Sequence, residues 1–295
     1  MSQLHANGIQ IEYDTFGKRT DLPLLLIMGL GTHMIGWPEE FCERLAKEGH
    51  FVIRFDNRDA GLSSKMEDAG MPNVMAHIQT VTQGGTIEAP YTLSDMALDA
   101  LGLMDVLGID KGHVCGLSMG GMIAQILAIE HPDRVLSLIS MESSTGEMGL
   151  PEPSSEAQDA MFSFPPIERE ASIEHRTGVF RVFSGGSDKF DEKVERELSA
   201  RSYDRCFYPQ GFTRQFTAIL ASGGRKEALK SVRVPTLVIH GVQDPLVPPE
   251  HGRATAEAVS GARLLMVEGL GHGLSFPDLW DEIVEAITAH TKASV

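Results

Sequence analysis

His113-Val114-Cys115-Gly116-Leu117-Ser118-Met119-Gly120-Gly121 passes without a break from a short apolar run into a helical pattern. Met119, Met122, Ile123, Ile126 and Leu127 follow the i, i+3, i+4 spacing that buries one face of a helix. The order strand, tight turn, helix therefore places Ser118 at the turn itself. Lifting a serine out of a sheet at such a turn strains the backbone, and the flanking glycines leave room for neighbouring elements to pass. The free N–H groups and dipole of the following helix favour negative charge beside that serine. Ser118 is accordingly the candidate nucleophile.

Outward from this stretch, short apolar runs recur at 24–28, 51–55, 113–115, Val135–Met141, 236–240 and 264–267. Uninterrupted runs of this length are what parallel strands covered on both faces look like. Helical stripes separate them. Trp37, Phe41 and Leu45 form one, entered at Pro38 and stopped at Gly49. Leu93, Met96, Ala97, Ala100, Leu101 and Met104 form another, with Thr92 as its cap and Gly108 as its stop. Trp280, Ile283, Val284 and Ile287 form the last. Ile9, Ile11 and Tyr13 alternate with polar residues behind an Asn7-Gly8 turn signal, which predicts an opening hairpin. The pattern predicts an α/β fold with a mostly parallel, doubly wound sheet.

Two segments interrupt it. Residues 65–90 show no period and contain Gly84-Gly85, which reads as a long loop of the kind that is functional or mobile, a candidate lid. Residues 146–231 carry no convincing strand but several helical patterns, among them Glu192–Arg205 and the apolar set Phe212, Phe216, Ile219 and Leu220. The expected organisation is a core of residues 1–145 and 232–295 with a helical cap inserted at 146–231.

A serine hydroxyl needs a base to remove its proton, and the chain offers 11 histidines. His272 stands in Gly269-Leu270-Gly271-His272-Gly273, directly after the last apolar run, where a glycine-flanked loop can carry an imidazole over the sheet's edge. His131 ends a helix. His240 ends a strand run and reads as a packed residue. His5, His50, His77, His175, His251 and His290 read as surface or cap residues. The base needs an acid to fix its tautomer and stabilise its charged form. Asp244 precedes Pro245 in the turn after the run 236–240, where it also suits an Asx turn. Glu142, just past Val135–Met141, is the rival. Backbone donors for an oxyanion are expected from Met119, which follows the nucleophile, and from Leu30 in Met28-Gly29-Leu30-Gly31.

Charge and cysteine content narrow the alternatives. Against 25 Lys and Arg stand 41 Asp and Glu, a net charge of -16. That field repels nucleic acid and anionic lipid, so neither is an expected partner. No apolar stretch reaches the length of a membrane span, and Met1-Ser2-Gln3-Leu4-His5-Ala6-Asn7 has neither the basic nor the apolar part of a secretory signal. Cys42, Cys115 and Cys206 lack CxxC spacing, so neither a disulfide framework nor a thiolate zinc site is expected. Cys115 reads as a small buried hydrophobe. A cytoplasmic location fits best.

The order Ser118, Asp244, His272 and the turn Phe55-Asp56-Asn57-Arg58-Asp59-Ala60-Gly61-Leu62-Ser63 resemble the α/β-hydrolase superfamily over nearly the whole chain. Ile27-Met28-Gly29, Gly36-Trp37-Pro38, Val52-Ile53-Arg54-Phe55-Asp56 and Gly116-Leu117-Ser118-Met119-Gly120 are similar to the aclacinomycin methylesterase group of bacterial serine carboxylesterases. The segment 65–90 and the cap depart from that group. The resemblance implies Ser118 as nucleophile, His272 as base, Asp244 as acid, and Leu30 and Met119 as oxyanion donors. Asp56 and Arg58 read as braces of their turn. A serine at 118 speaks against relatives that use an aspartate nucleophile.

The expected activity is cofactor-free hydrolysis of small to medium carboxylic esters, with no metal. Cap residues Met161, Phe162, Phe164, Ile167, Phe180, Val182, Phe183, Phe207, Tyr208, Phe212 and Phe216 are candidates for an apolar pocket. A C–C bond hydrolase or a perhydrolase-like haloperoxidase with the same triad is the alternative. A non-catalytic ligand receptor stands further off, because all three triad positions are filled.

Overall fold

The opening hairpin pairs β1 (Ser2–Ala6) antiparallel with β2 (Ile9–Phe16) in the computed structural model, which describes residues 1–294. Asn7 (φ 47°) and Gly8 (φ 76°) supply the positive φ that such a two-residue turn needs. In chain order there follow β3 (Leu22–Ile27), α1 (Glu39–Lys47), β4 (His50–Phe55), α2 (Val74–Thr82), α3 (Leu93–Val106), β5 (Gly112–Leu117), α4 (Met119–Glu130) and β6 (Val135–Met141). Next come the helices α5 (Ser155–Met161), α6 (Arg169–Phe183), α7 (Glu192–Arg205), α8 (Gln210–Ser222) and α9 (Lys226–Leu229). The chain returns to the sheet with β7 (Thr236–Gly241), α10 (Pro249–Ala258), β8 (Arg263–Val267) and α11 (Trp280–Lys292).

The strands form one sheet in the order β1-β2-β4-β3-β5-β6-β7-β8, antiparallel at β1, β2 and β4 and parallel from there to β8. Alternate side chains of β3 serve two cores. Leu25 and Ile27 pack with the faces of α3 and α4, and Leu24 and Leu26 with those of α1 and α11. Trp37, Phe41 and Leu45 are wholly buried on the second side; each such side chain contributes about 1.5–3 kcal/mol. Thr92 caps α3 through a reciprocal pair. Its hydroxyl accepts from the Asp95 N–H at 3.2 Å, while Asp95 accepts from the Thr92 N–H at 2.7 Å.

The segment 65–90 departs from the expected plain loop, because it contains α2. Asn73 caps that helix, accepting from the Ala76 N–H at 3.1 Å. None of its residues is buried, so no stripe marks it in the sequence, and β-branched Val74, Ile78, Thr80, Val81 and Thr82 mask its helical nature. It packs on α8, one of the helices between β6 and β7. His50 and His290 are buried rather than superficial. His50 bridges the Leu45 carbonyl at 2.9 Å and the Thr291 hydroxyl at 2.7 Å, tying β4 to the last helix. Among the described residues no helix is long and apolar enough to cross a membrane.

Candidate active site

Ser118 occupies the single residue between β5 and α4 with φ 57° and ψ -120°. A positive φ at a residue with a Cβ costs on the order of 1–3 kcal/mol and persists only where its surroundings dictate it. Here they do. The Ser118 N–H donates to the Met141 carbonyl at 2.9 Å, and its carbonyl accepts from the Gly121 N–H at 2.9 Å and the Ser143 hydroxyl at 2.7 Å. Glycine is required on both sides. A Cβ on Gly116 would stand 2.0 Å from the Gly120 oxygen, and one on Gly120 would stand 2.0 Å from the Ile27 oxygen.

Asp244 and His272 leave the ends of adjacent strands β7 and β8 and meet: His272 Nδ1 lies 2.7 Å from Asp244 Oδ2. The other oxygen of Asp244 accepts from the Leu246 and Val247 N–H groups at 2.9 and 2.8 Å, which is the Asx turn. An ionised Asp244 places the proton on Nδ1 and leaves Nε2 free as a base. The His272 N–H donates to the Phe183 carbonyl of α6 at 2.8 Å, so α6 holds this loop. Burial alone disfavours the imidazolium, but the adjacent Asp244, helped by Glu142, reverses the balance and holds His272 above its ordinary value.

Glu142 is wholly buried with φ 45°. It accepts from the Gly273 N–H at 2.6 Å and lies 3.7 Å from His272 Nδ1. Asp244 is thus the direct partner, and Glu142 steadies the loop that follows the histidine. Burial, outweighing the nearby His272, pushes the Glu142 carboxyl well above the usual carboxylate range. His240 is packed, with Nε2 2.7 Å from the Val247 carbonyl. Glu142, Asp244 and His272 have ligand atoms within 4.8 Å of one another. The Nδ1 of His272 is already engaged by Asp244 in hydrogen-bond geometry, so the set suits proton handling better than a metal.

Leu30 and Met119 bracket Ser118. A Cβ on Gly29 would stand 3.2 Å from the Ser118 Cβ, which fixes how closely the two loops approach. Asn57 Nδ2 donates to the Met28 carbonyl at 2.8 Å, and the Gly31 N–H donates to Gln215 at 2.7 Å, so Asn57 and α8 both pin the Leu30 turn. Asp56 accepts from the Met34 and Leu62 N–H groups, both at 2.7 Å, and Arg58 grips Asp99 at 2.6 and 2.7 Å. Both brace the turn and neither lines the cavity.

Ser118, His272, Leu30 and Met119 line a cavity of about 590 Å³ that residues of α5, α6, α7 and α8 also line. Most of its wall is apolar, and all the expected cap residues contribute except Ile167 and Val182. Ile167 is 77% exposed. Helix α2 adds Val74 and Met75. Sequence reasoning missed a polar corner made by His33, His175, Arg176, Glu195, Ser199 and Ser202. The α7 pattern reads as a solvated helix because charges fill most of it. Its buried residues are Glu195, Ser199 and Ser202, and their i, i+4, i+7 spacing is the signal that was there to be found.

Comparison with known proteins agrees with this architecture. Residues 23–279 match the family model described as alpha/beta hydrolase fold. The chain belongs to the α/β hydrolase fold family. Within that family it is 33% identical to rhodomycin D methylesterase DauP of Streptomyces sp. (strain C5), over 94% of this chain and 93% of that one. Among solved structures it is similar to the meta-cleavage product hydrolase CumD of Pseudomonas fluorescens IP01, with TM-score 0.78 at 20% identity over 100% and 98% of the two chains. It is also similar to the enol-lactonase of Burkholderia xenovorans LB400, with TM-score 0.73 at 23% identity over 99% and 100%. The two structural likenesses speak to the fold alone.

Proposed function

We propose that this α/β hydrolase is a cytoplasmic, cofactor-independent serine carboxylesterase with Ser118 as nucleophile, His272 as base and Asp244 as acid. The observation that carries the reading is the 2.7 Å contact between Asp244 and His272 on the same cavity as a serine held at positive φ. His272 Nε2 takes the Ser118 proton as the hydroxyl attacks the ester carbonyl. The N–H groups of Leu30 and Met119 receive the oxyanion; each such donor is typically worth about 2.7–4 kcal/mol in the transition state. The imidazolium, stabilised by Asp244, then protonates the departing alcohol. Water activated by the same imidazole releases the acid from the acyl-enzyme.

Residues 146–231 act in this reading as a cap that shapes the acyl and alcohol pockets. The methylesterase named above supports an ester as the substrate class. Hydrolysis of p-nitrophenyl esters from acetate to palmitate, with Ser118→Ala in parallel, tests the proposal. Turnover peaking at short to medium chains and lost in the variant is expected. A folded wild type that cleaves no ester but cleaves β-diketones would move the reading to C–C bond hydrolysis.

A further inference from the structure

Among the described residues Arg176 is the arginine that lines the cavity, and two of its guanidinium nitrogens have no hydrogen-bond partner. Arg58 grips Asp99, and Arg214 grips Asp59 at 2.9 and 2.8 Å. Arg225 donates to Gln125, Gly223 and Ser144, and Arg54 to Trp37 and Asp14. Arg205 forms an ion pair with Asp56 at 2.7 Å, although its guanidinium nitrogens are outside hydrogen-bond geometry, and it does not line the cavity. Arg176 differs. Its Nε and Nη2 are buried without a hydrogen-bond partner among the described residues, and it forms a 3.5 Å ion pair with the buried Glu195 carboxylate. Glu195 is itself engaged by the Ser199 and Ser275 hydroxyls at 2.9 and 2.7 Å.

Two neighbours on the same wall share this condition. His33 is 8% exposed and Ser202 6% exposed; the Nδ1 of the first and the Oγ of the second are buried without a partner. Buried polar atoms left unpaired each cost on the order of 1–3 kcal/mol, and three side chains so placed on one cavity wall offer a ligand group partners for hydrogen bonds. The local field selects its charge. Burial and then the charges of Arg176, Arg205 and Lys65 drive the His33 imidazolium down to a pKa of about 3, so the cations nearest this imidazole bring positive charge to the corner, set against the Glu195 carboxylate beside Arg176. It is also near the chemistry. The Arg176 guanidinium stacks 4.8 Å from the centre of the Phe180 ring, and that ring lies 3.3 Å from where a Cβ on Gly273 would stand. One aromatic ring separates the guanidinium from the His272 loop.

We propose that Arg176, with His33 and Ser202, forms a subsite for a carboxylate that the substrate carries away from its scissile bond. The substrate class is then an ester or lactone bearing a second, ionised carboxyl group, such as a dicarboxylic acid hemiester. A planar guanidinium matches a carboxylate with two parallel hydrogen bonds. The apolar walls between this corner and Ser118 fit the methylene or alkenyl segment joining the two groups. This inference rests on the serine esterase reading and refines it.

The test sets hemiesters against neutral isosteres. Wild type and Arg176→Gln are assayed in a pH-stat on the monomethyl esters of succinic, glutaric, adipic and pimelic acids. The same methyl esters with the free carboxylate replaced by a carboxamide, and p-nitrophenyl acetate, are run beside them. At the best chain length, kcat/KM for the hemiester exceeds that for the carboxamide by about ten- to a hundredfold, the range of a charge-assisted hydrogen bond. Arg176→Gln brings that ratio to near one, and any general loss of activity cancels in it. A wild-type ratio near one at each chain length, or a preference that survives Arg176→Gln, overturns the subsite.

If the variant does not fold, inhibition of the wild type decides. Dicarboxylates should then compete with p-nitrophenyl acetate about tenfold more tightly than monocarboxylates of equal length, and equal inhibition overturns the subsite. Failure of folded wild type to cleave p-nitrophenyl acetate brings down the esterase reading and this inference with it. Cleavage without preference for the anion brings down only the subsite.

Discussion

Helices α4 and α8 both reach the cavity, one from beside the sheet and one from the helices between β6 and β7, and they bury different chemistry. Helix α4 hides Met119, Ile123, Ala124, Ile126 and Leu127 from water, as its periodicity demands. Helix α8 hides Thr213, Arg214, Gln215 and Thr217, and leaves Phe212, Phe216 and Ile219 only partly covered, on the cavity. The reversal has a physical cause. The neighbour of α8 on its inner side is the polar turn after β4, where Asp59 receives Arg214 and the Arg58 carbonyl receives Gln215 at 2.7 Å. Its other side must supply wall to a pocket that apolar groups enter. An apolar stripe therefore marks the face a helix turns away from water, and that face can be a binding cavity as readily as a core.

The largest effect expected from this contrast is at the start of α4. Ser118→Ala should lower kcat/KM by about five to six orders of magnitude while the urea midpoint stays put; a smaller loss with unchanged folding would remove the nucleophile from the reading. On α8, Arg214→Met should destabilise the protein by about 3–5 kcal/mol, because it strands the buried Asp59. Adding Asp59→Asn should restore part of that loss in the same urea titration, and strictly additive losses would sink the idea of a polar clamp.

The apolar faces of the two helices should respond differently. Leu127→Ala in α4 should cost about 2–5 kcal/mol and leave ester preference alone. Phe216→Ala in α8 should cost about 1 kcal/mol and shift preference toward longer acyl chains across the p-nitrophenyl series. The subtlest effect is in the pH profile. His272 must be neutral to act as base, and its value is raised, so kcat/KM should climb with pH through an apparent pKa above the ordinary 6.5. Asp244→Asn removes the main group holding it up and should move that limb to lower pH.

Where a residue's role follows from its neighbours in sequence, it was legible. The bounds of β6 and α7, the Thr92 cap of α3 and the turn at Asn7-Gly8 follow from local pattern and from stereochemistry. The meeting of Asp244 with His272 was readable because each follows a parallel strand, and such strands end on one edge of the sheet. Helix α2 was not legible, since it buries nothing and so carries no stripe. The orientation of α8 was hidden because the residues that decide it, Asp59 and Arg58, lie far away in the chain. The Arg176 corner was hidden for a related reason. A guanidinium looks solvated in a charged helix until the fold shows that it lines a cavity.

If His272 is the base, the hydrogen bond from its N–H to the Phe183 carbonyl ties the rate of this protein to its scope. In the proposed mechanism the loop that moves the proton hangs from a helix that lines the substrate cavity. A change in α6 that admits a new ester therefore also displaces the imidazole, and a gain in breadth arrives with a loss in speed. Laboratory evolution toward new substrates should proceed in pairs of mutations, the first in α6 and the second in residues 269–273, with the second beneficial only after the first.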